Sequence, residues 1–265
     1  MKKILGKKQN ISNEEWIKAM ENIEEYVTRE ELELVVAITL DEIEKTINNK
    51  KVAYAWSGGK DSIVLGHICE RAGIEDCVLG ICNLEYPAFL NWVHKNKPKK
   101  LEIINTGQDL DWLAKHQEML FPQDSKKTAR WYSIVQHNAQ NKYYKKHDLD
   151  ILILGRRRAD GNYVGKGSNI YTDGKGITRY SPLANWKHEF ILAYIHYYKL
   201  KVPPIYTWPN GYKCGTHPWA ARQYTDDVKK GWEEIYTIDK SIVDKAAEKI
   251  ESAKLFKEGL NDENN

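Results

Sequence analysis

Apolar positions recur at helical spacing near the start of the chain. Trp16, Met20, Ile23 and Val27 share one face, and Ser12 with Glu15 three places later spells a capping box, so a helix is predicted there. A second helix is predicted over 30–47, ending at Asn48-Asn49. The period then changes. Val52-Ala53-Tyr54-Ala55-Trp56, Cys77-Val78-Leu79-Gly80-Ile81-Cys82, Leu101-Glu102-Ile103-Ile104-Asn105 and Asp150-Ile151-Leu152-Ile153-Leu154-Gly155 are short, nearly continuous apolar runs. Strands buried on both faces read this way. Helical patterns separate them, from Ile63 onward, from Tyr86-Pro87 through Trp92-Val93, and over 128–147. The alternation predicts an α/β fold, a parallel sheet with helices on both faces.

Beyond the fourth run, Gly161, Gly165, Gly167, Gly174 and Gly176 mark a loop or short hairpin. A helix is expected over 186–199. Lys201-Val202-Pro203-Pro204-Ile205-Tyr206 should be extended because of its prolines. Helices return from about Trp219, and Ile235, Ile238, Ile242, Val243, Ala246, Ile250 and Leu255 make an amphipathic pattern, suited to docking on the core or to a homo-oligomer contact. Residues 261–265 are expected to fray.

Composition narrows the class. Of 265 residues, 42% are hydrophobic and 29% charged, which excludes a disordered chain. No apolar run is long enough to span a membrane, and Met1-Lys2-Lys3-Ile4-Leu5-Gly6 lacks a secretory stretch, so no membrane partner is expected. Cys69, Cys77, Cys82 and Cys214 form no CxxC pair, which argues against a disulfide framework, a zinc ribbon or an iron–sulfur site and favours a reducing, cytoplasmic setting. The net charge of +3 decides nothing, but residues 94–180 hold 17 Lys/Arg against 9 Asp/Glu. That excess suits a polyanion, nucleotide or nucleic acid, as well as a plain solvated surface.

The chemistry concentrates in Ser57-Gly58-Gly59-Lys60-Asp61-Ser62, between the first strand and a helix. Free amides at a helix start and the positive end of its dipole make an anion site. Glycine lets a phosphate approach the backbone. Ser57 and Ser62 add hydroxyls, Lys60 adds charge where phosphate charge accumulates, and Asp61 is a candidate Mg²⁺ ligand or a partner orienting Lys60. The spelling is neither a Walker A loop nor GxGxxG.

This hexapeptide resembles the PP-loop of the adenine nucleotide α-hydrolase-like superfamily. Gly155-Arg156-Arg157-Arg158, Tyr180-Ser181-Pro182-Leu183-Ala184-Asn185-Trp186, Pro204-Ile205-Tyr206 and Gly211-Tyr212 follow in the order seen in the phosphoadenosine phosphosulfate (PAPS) reductase family. The resemblance implies a five-stranded parallel sheet, with a nucleotide domain at 51–219 between helical extensions at 1–50 and 220–265. It implies ATP or PAPS as ligand, with Mg²⁺, and pyrophosphate release by many members. Arg157 with one neighbour, Arg156 or Arg158, would hold phosphate or sulfate. Asn83 and Glu85, after the second strand, would lie near adenine.

Three readings follow. A complete PP-loop suits ATP-dependent AMP transfer to an unidentified acceptor, as in sulfate adenylyltransferase or in sulfur modification of nucleic acids, with Lys60, Asp61 and Arg157 catalytic. Sulfonucleotide reduction needs a nucleophilic cysteine, and Lys213-Cys214-Gly215-Thr216-His217 places Cys214 beside a histidine, although the family's motif has glutamate where Lys213 stands. Finally, Trp131, Tyr132, Tyr143 and Tyr144 among Lys126, Lys127, Arg130, Lys142, Lys145 and Lys146 suit stacking on single-stranded nucleic acid without catalysis. His137, His188 and His196 are expected to be surface or packing residues.

Overall fold

Two reciprocal capping boxes, Ser12 with Glu15 and Thr28 with Glu31, start the first long helices. The computed structural model describes residues 5–6 and 8–263. Met1-Lys2-Lys3-Ile4, the start of the run without a secretory stretch, and Asn264-Asn265 lie outside them. The first predicted helix is split at Asn22, which leaves helical geometry, into α1 (Asn13–Glu21) and α2 (Ile23–Tyr26). α3 (Arg29–Ile47) follows.

The alternating core is β1 (Val52–Ala55), α4 (Lys60–Arg71), β2 (Asp76–Ile81), α5 (Pro87–Asn96), β3 (Lys100–Asn105), α6 (Leu110–Lys115), α7 (Ser125–Tyr132), α8 (Asn138–Lys146) and β4 (Ile151–Ile153). A π-helical turn, Ser133–His137, joins α7 to α8, so the helix predicted over 128–147 starts three residues early and is interrupted. The glycine-rich segment is a hairpin of β5 (Ile170–Thr172) and β6 (Thr178–Tyr180). α9 (His188–Tyr197), α10 (Gly211–Cys214), α11 (Val228–Ile238), α12 (Lys240–Ala246) and α13 (Glu251–Glu263) complete the chain. Helix therefore persists through 261–263, where fraying was expected. Pro204–Thr207 is a 3₁₀ turn rather than extended chain, because proline's fixed φ also suits the first turn of a helix.

The sheet has six strands in the order β3-β2-β1-β4-β6-β5. The first five of these pair in parallel, and β5 adds an antiparallel edge on β6. That edge strand is the one departure from the expected five-stranded sheet. Tyr54 stands opposite Cys77, and Val52 opposite Ile151. Alternate residues feed two apolar layers: Tyr54, Cys77, Leu79, Ile151 and Ile153 enter one, while Ala53, Ala55, Val78 and Leu152 enter the other. This period-2 split shows that both faces are covered. The larger layer also takes in Trp16 and Leu32 from the N-terminal helices and Trp232, Ile242 and Ile250 from the C-terminal ones. The C-terminal amphipathic face is thus spent on the core, apart from the exposed Leu255. No helix among the described residues is long and apolar enough to cross a membrane.

Candidate active site

β1 leads to β2 on one side, while β4 pairs on its other side. A crevice opens where the two connections part, at the carboxyl ends of the strands, where α/β sheets place ligands. A cavity of about 760 Å³ lies there, with Ala55 and Ser57 on one wall and Leu154, Gly155 and Arg156 on another.

The phosphate loop forms its floor. Gly58 has φ +68°, and a Cβ there would come within 2.9 Å of the Phe89 ring, so both conformation and space demand glycine. Gly59 is the N-cap of α4 and offers no capping side chain, leaving the helix start open. The Asp61 and Ser62 amides have no acceptor among the described residues. The Lys60 amide donates to the Tyr206 hydroxyl at 2.6 Å. The two serines brace the loop itself: Ser62 Oγ accepts from the Ser57 amide (3.0 Å) and hydroxyl (3.1 Å) and donates to the Gly59 carbonyl (2.9 Å). Gly155 lies against the first turn of α4, where a Cβ would sit 3.2 Å from the Asp61 carbonyl oxygen.

Lys60 is buried. Its ammonium lies 2.7 Å from Asp61 Oδ2 and 5.3 Å from the centre of the Trp16 ring, and burial lowers its pKa. Burial opposes ionisation of Asp61, but Arg157 and Lys60 outweigh it and hold that carboxyl well below the usual range. The three arginines divide. Arg157 is fully buried and does not line the cavity. It reaches Asp61 Oδ1 (2.7 Å), Asp160 Oδ2 (2.9 Å), the Trp186 carbonyl (3.2 Å) and His188 Nδ1 (3.2 Å). It is therefore a support for Asp61 and not the ligand-facing arginine expected from sequence, because two carboxylates draw it inward. Arg158 turns outward to Asn185 and Asn169. Arg156 is the one of the three that lines the cavity, donating to the Tyr171 hydroxyl (2.8 Å) and to His137 Nε2 (2.6 Å).

Several expected contacts sit elsewhere. Asn83 bonds to Asn105 and to the Gly107 carbonyl, outside the cavity lining. Glu85 is buried, accepts from the Cys82 amide and has its pKa pushed up to about 8 by burial. Cys214 does line the cavity, but it is buried, donates to the Gln223 carbonyl and has its thiol pushed up by burial. That is the opposite of an activated thiolate. Trp131 and Tyr143 are core residues, and Tyr144 is tied to the Asp150 carbonyl. Of these four rings only Tyr132 lines the cavity. His196 pairs with Glu24 at the surface. His137 and His217 line the cavity, with pKa values lowered to about 4, chiefly by burial; His188 is buried and lowered to about 3.

Asp61 does not fit as a metal ligand, since Arg157 holds one of its oxygens and Lys60 the other. Among the described residues no group of three or more His, Cys, Asp or Glu is placed to hold a metal ion. Tyr206, Asp160 and Thr216 are site residues to which the sequence reading gave no role, whereas His217 was weighed there as the neighbour of Cys214. Tyr206 lay within a quoted motif, but its role depends on contact with α4, 146 residues away in sequence.

A phosphate-binding loop at the switch point of a parallel sheet defines an α/β protein of the PP-loop type. Residues 51–213 match the phosphoadenosine phosphosulfate reductase domain, and the chain belongs to that family. A phosphoadenosine phosphosulfate reductase from Emericella nidulans is 27% identical over 110 residues, 42% of this chain and 33% of that protein, so the chain spans about a third of the length of this curated relative. Solved structures show similarity at low identity. The PAPS reductase of Candida auris, a phosphate complex, gives a TM-score of 0.48 at 15% identity, covering 68% of this chain and 91% of that one. The U34-tRNA thiolase of Methanococcus maripaludis, with its [4Fe-4S] cluster, gives 0.46 at 16%, covering 86% and 80%. The NMN synthetase of Francisella tularensis gives 0.46 at 15%, covering 85% and 92%.

Proposed function

We propose that this chain binds ATP in the crevice between β1 and β4 and transfers its AMP moiety to an acceptor oxygen, releasing pyrophosphate. One observation carries the reading: a complete phosphate loop, with the Asp61 and Ser62 amides open, floors a cavity whose cysteine is not activated. The acceptor oxygen attacks the α-phosphorus. A new P–O bond forms, the bond to the bridging oxygen breaks, and its electron pair leaves with pyrophosphate. The loop amides receive the charge of the leaving group, aided by the dipole of α4. Lys60 adds a cation from below, in a poorly solvated place where its field is weakly screened. Arg157 and Asp61 act as positioning residues that hold Lys60 still, and Arg156 faces the phosphates from the β4 side.

The test is pyrophosphate release from ATP in the presence of a panel of acceptors. No release with any acceptor, together with thioredoxin-dependent reduction of PAPS, would favour the second reading. That reading, sulfonucleotide reduction, draws on the family relationship and on Cys214 lining the same cavity.

A further inference from the structure

The N-terminal arm ahead of α1 is pinned on both sides of Lys8. The Leu5 amide donates to Glu189 Oε1 in the first turn of α9, and Leu5 packs against the core. Lys8–Asn10 forms a 3₁₀ turn, in which the Ile11 amide donates to the Lys8 carbonyl (3.4 Å), and Ile11 is buried. Ser12 then caps α1, and Asn13 Oδ1 accepts from the Tyr212 amide (3.1 Å). Held at these points, Lys8 lines the cavity above the phosphate loop, although it lies well ahead of residues 51–213, the span of the family domain.

The carboxylates that line this cavity are already committed. Lys60 and Arg157 hold Asp61, Arg157 holds Asp160 Oδ2, and Asp124 caps α7 and pairs with Lys127. Lys8 has no carboxylate partner among the described residues. Its charge reaches both walls. After burial, it is what lowers the His217 pKa, and it works with burial and Arg157 against the Lys60 ammonium. Thr216 Oγ1, next along the chain to His217, lies 3.2 Å from where a Cβ on Gly59 would stand, so the two walls meet at the phosphate loop. Two ammonium groups that repel each other in a poorly solvated cavity are unfavourable until an anion with charge enough for both arrives. A single phosphate on the loop answers Lys60. The further phosphates of a longer tail answer Lys8.

We infer that Lys8 binds the terminal phosphates of the nucleotide, so that part of the pyrophosphate site comes from the N-terminal arm and not from the family domain. The inference rests on the AMP-transfer reading and adds to it a cation for the leaving group. Arg156 faces the phosphates from the β4 side, and Lys8 approaches from the side of residues 213–217. As the bond from the α-phosphorus to the bridging oxygen breaks, the electron pair leaves with pyrophosphate. Lys8 meets that charge electrostatically and gives up no proton. The arm thereby selects for the length of the phosphate tail and not for the base.

The experiment is calorimetric titration of the full chain with a non-hydrolysable ATP analogue, with pyrophosphate and with AMP. Lys8→Met keeps most of the aliphatic stem and removes the charge. It should weaken binding of the analogue and of pyrophosphate several-fold and leave AMP unchanged, and Lys8→Arg should restore both affinities. Lys18→Met, on the exposed side of α1 and outside the cavity lining, removes the same net charge and should alter none of the three. The inference is overturned if Lys8→Met binds the analogue and pyrophosphate as the parent does, if it weakens AMP equally, or if Lys18→Met has the same effect. In each of those cases the parent still binds the analogue, and the AMP-transfer reading stands. A parent chain that binds neither the analogue nor pyrophosphate would sink that reading and this inference together.

Discussion

The hydroxyl of Tyr206 accepts a hydrogen bond, 2.6 Å long, from the backbone amide of Lys60. That amide belongs to the opening turn of α4 and is one that an anion would otherwise receive. Tyr206 thus competes with phosphate for one donor of the loop. Tyr206→Phe removes the competitor and leaves a buried amide unsatisfied until ligand arrives. Affinity for ATP and pyrophosphate should rise several-fold, corresponding to about 1 kcal/mol. AMP, whose single phosphate is not expected to reach this amide, should bind as before. Calorimetry with the three ligands checks this, and a loss of pyrophosphate affinity would make Tyr206 a donor to the ligand instead.

Lys60→Ala deletes a buried ammonium and leaves Asp61 balanced by Arg157 alone. ATP affinity is expected to fall at least about tenfold, or ~1.4 kcal/mol. Thermal melting in parallel separates this from unfolding. Unchanged affinity and turnover in a folded variant would remove the loop from the phosphate site.

The buried titratable groups predict a stability maximum near pH 6.5. His137 and His217 have pKa values lowered from an ordinary 6.5 to about 4, and His188 to about 3. Below pH 6.5 the unfolded chain binds protons that these folded imidazoles refuse, so stability falls as pH drops. Asp61, depressed by its two cations, adds a further loss only once the pH falls below the ordinary carboxylate range. Glu85 works in the other direction. Raised to about 8, it keeps its proton in the folded state, so stability falls as pH rises from 4.5 to 8. Three histidines outweigh one glutamate below pH 6.5, and Glu85 acts unopposed above it. Denaturant titrations across pH 4.5–8.5 test this, and Glu85→Gln should flatten the alkaline limb and steepen the acid one.

Cys214 should be a slow nucleophile. Its thiol is buried and harder to ionise than a free one, so alkylation of the native chain at pH 7.5 should lag behind that of a free thiol. Cys214→Ser is expected to leave pyrophosphate release intact. Loss of all turnover in that variant would revive the reductase reading.

The parallel strands were legible because strands covered on both faces need uninterrupted apolar runs, as in Ile151-Leu152-Ile153. The loop was legible because Gly58 must take a positive φ and Gly59 must leave the helix start open. A short hairpin was one of two readings of the glycine-rich stretch, but β6 was not placed in the parallel sheet, because Thr178-Arg179-Tyr180 is short and polar and only the folded chain pairs it with β4. Among the three arginines the sequence reading chose Arg157 for the ligand, whereas Arg156 is the one that lines the cavity. Asp61 and Asp160 decide which one turns inward, and they meet Arg157 only in the folded chain. The π turn has no periodic signature, so the placement of His137 was invisible for the same reason.

Trp16 has a practical consequence for anyone trimming this chain. Its ring lies beneath the Lys60 ammonium, stacks on Tyr212 and touches His188 edge-on, yet it belongs to α1, far upstream of residues 51–213. A fragment cut to the family boundaries would lose the floor under its own lysine and expose a greasy hollow at the back of the crevice. Such a fragment should be assayed with suspicion, and a null result from it would say nothing about the 265-residue chain.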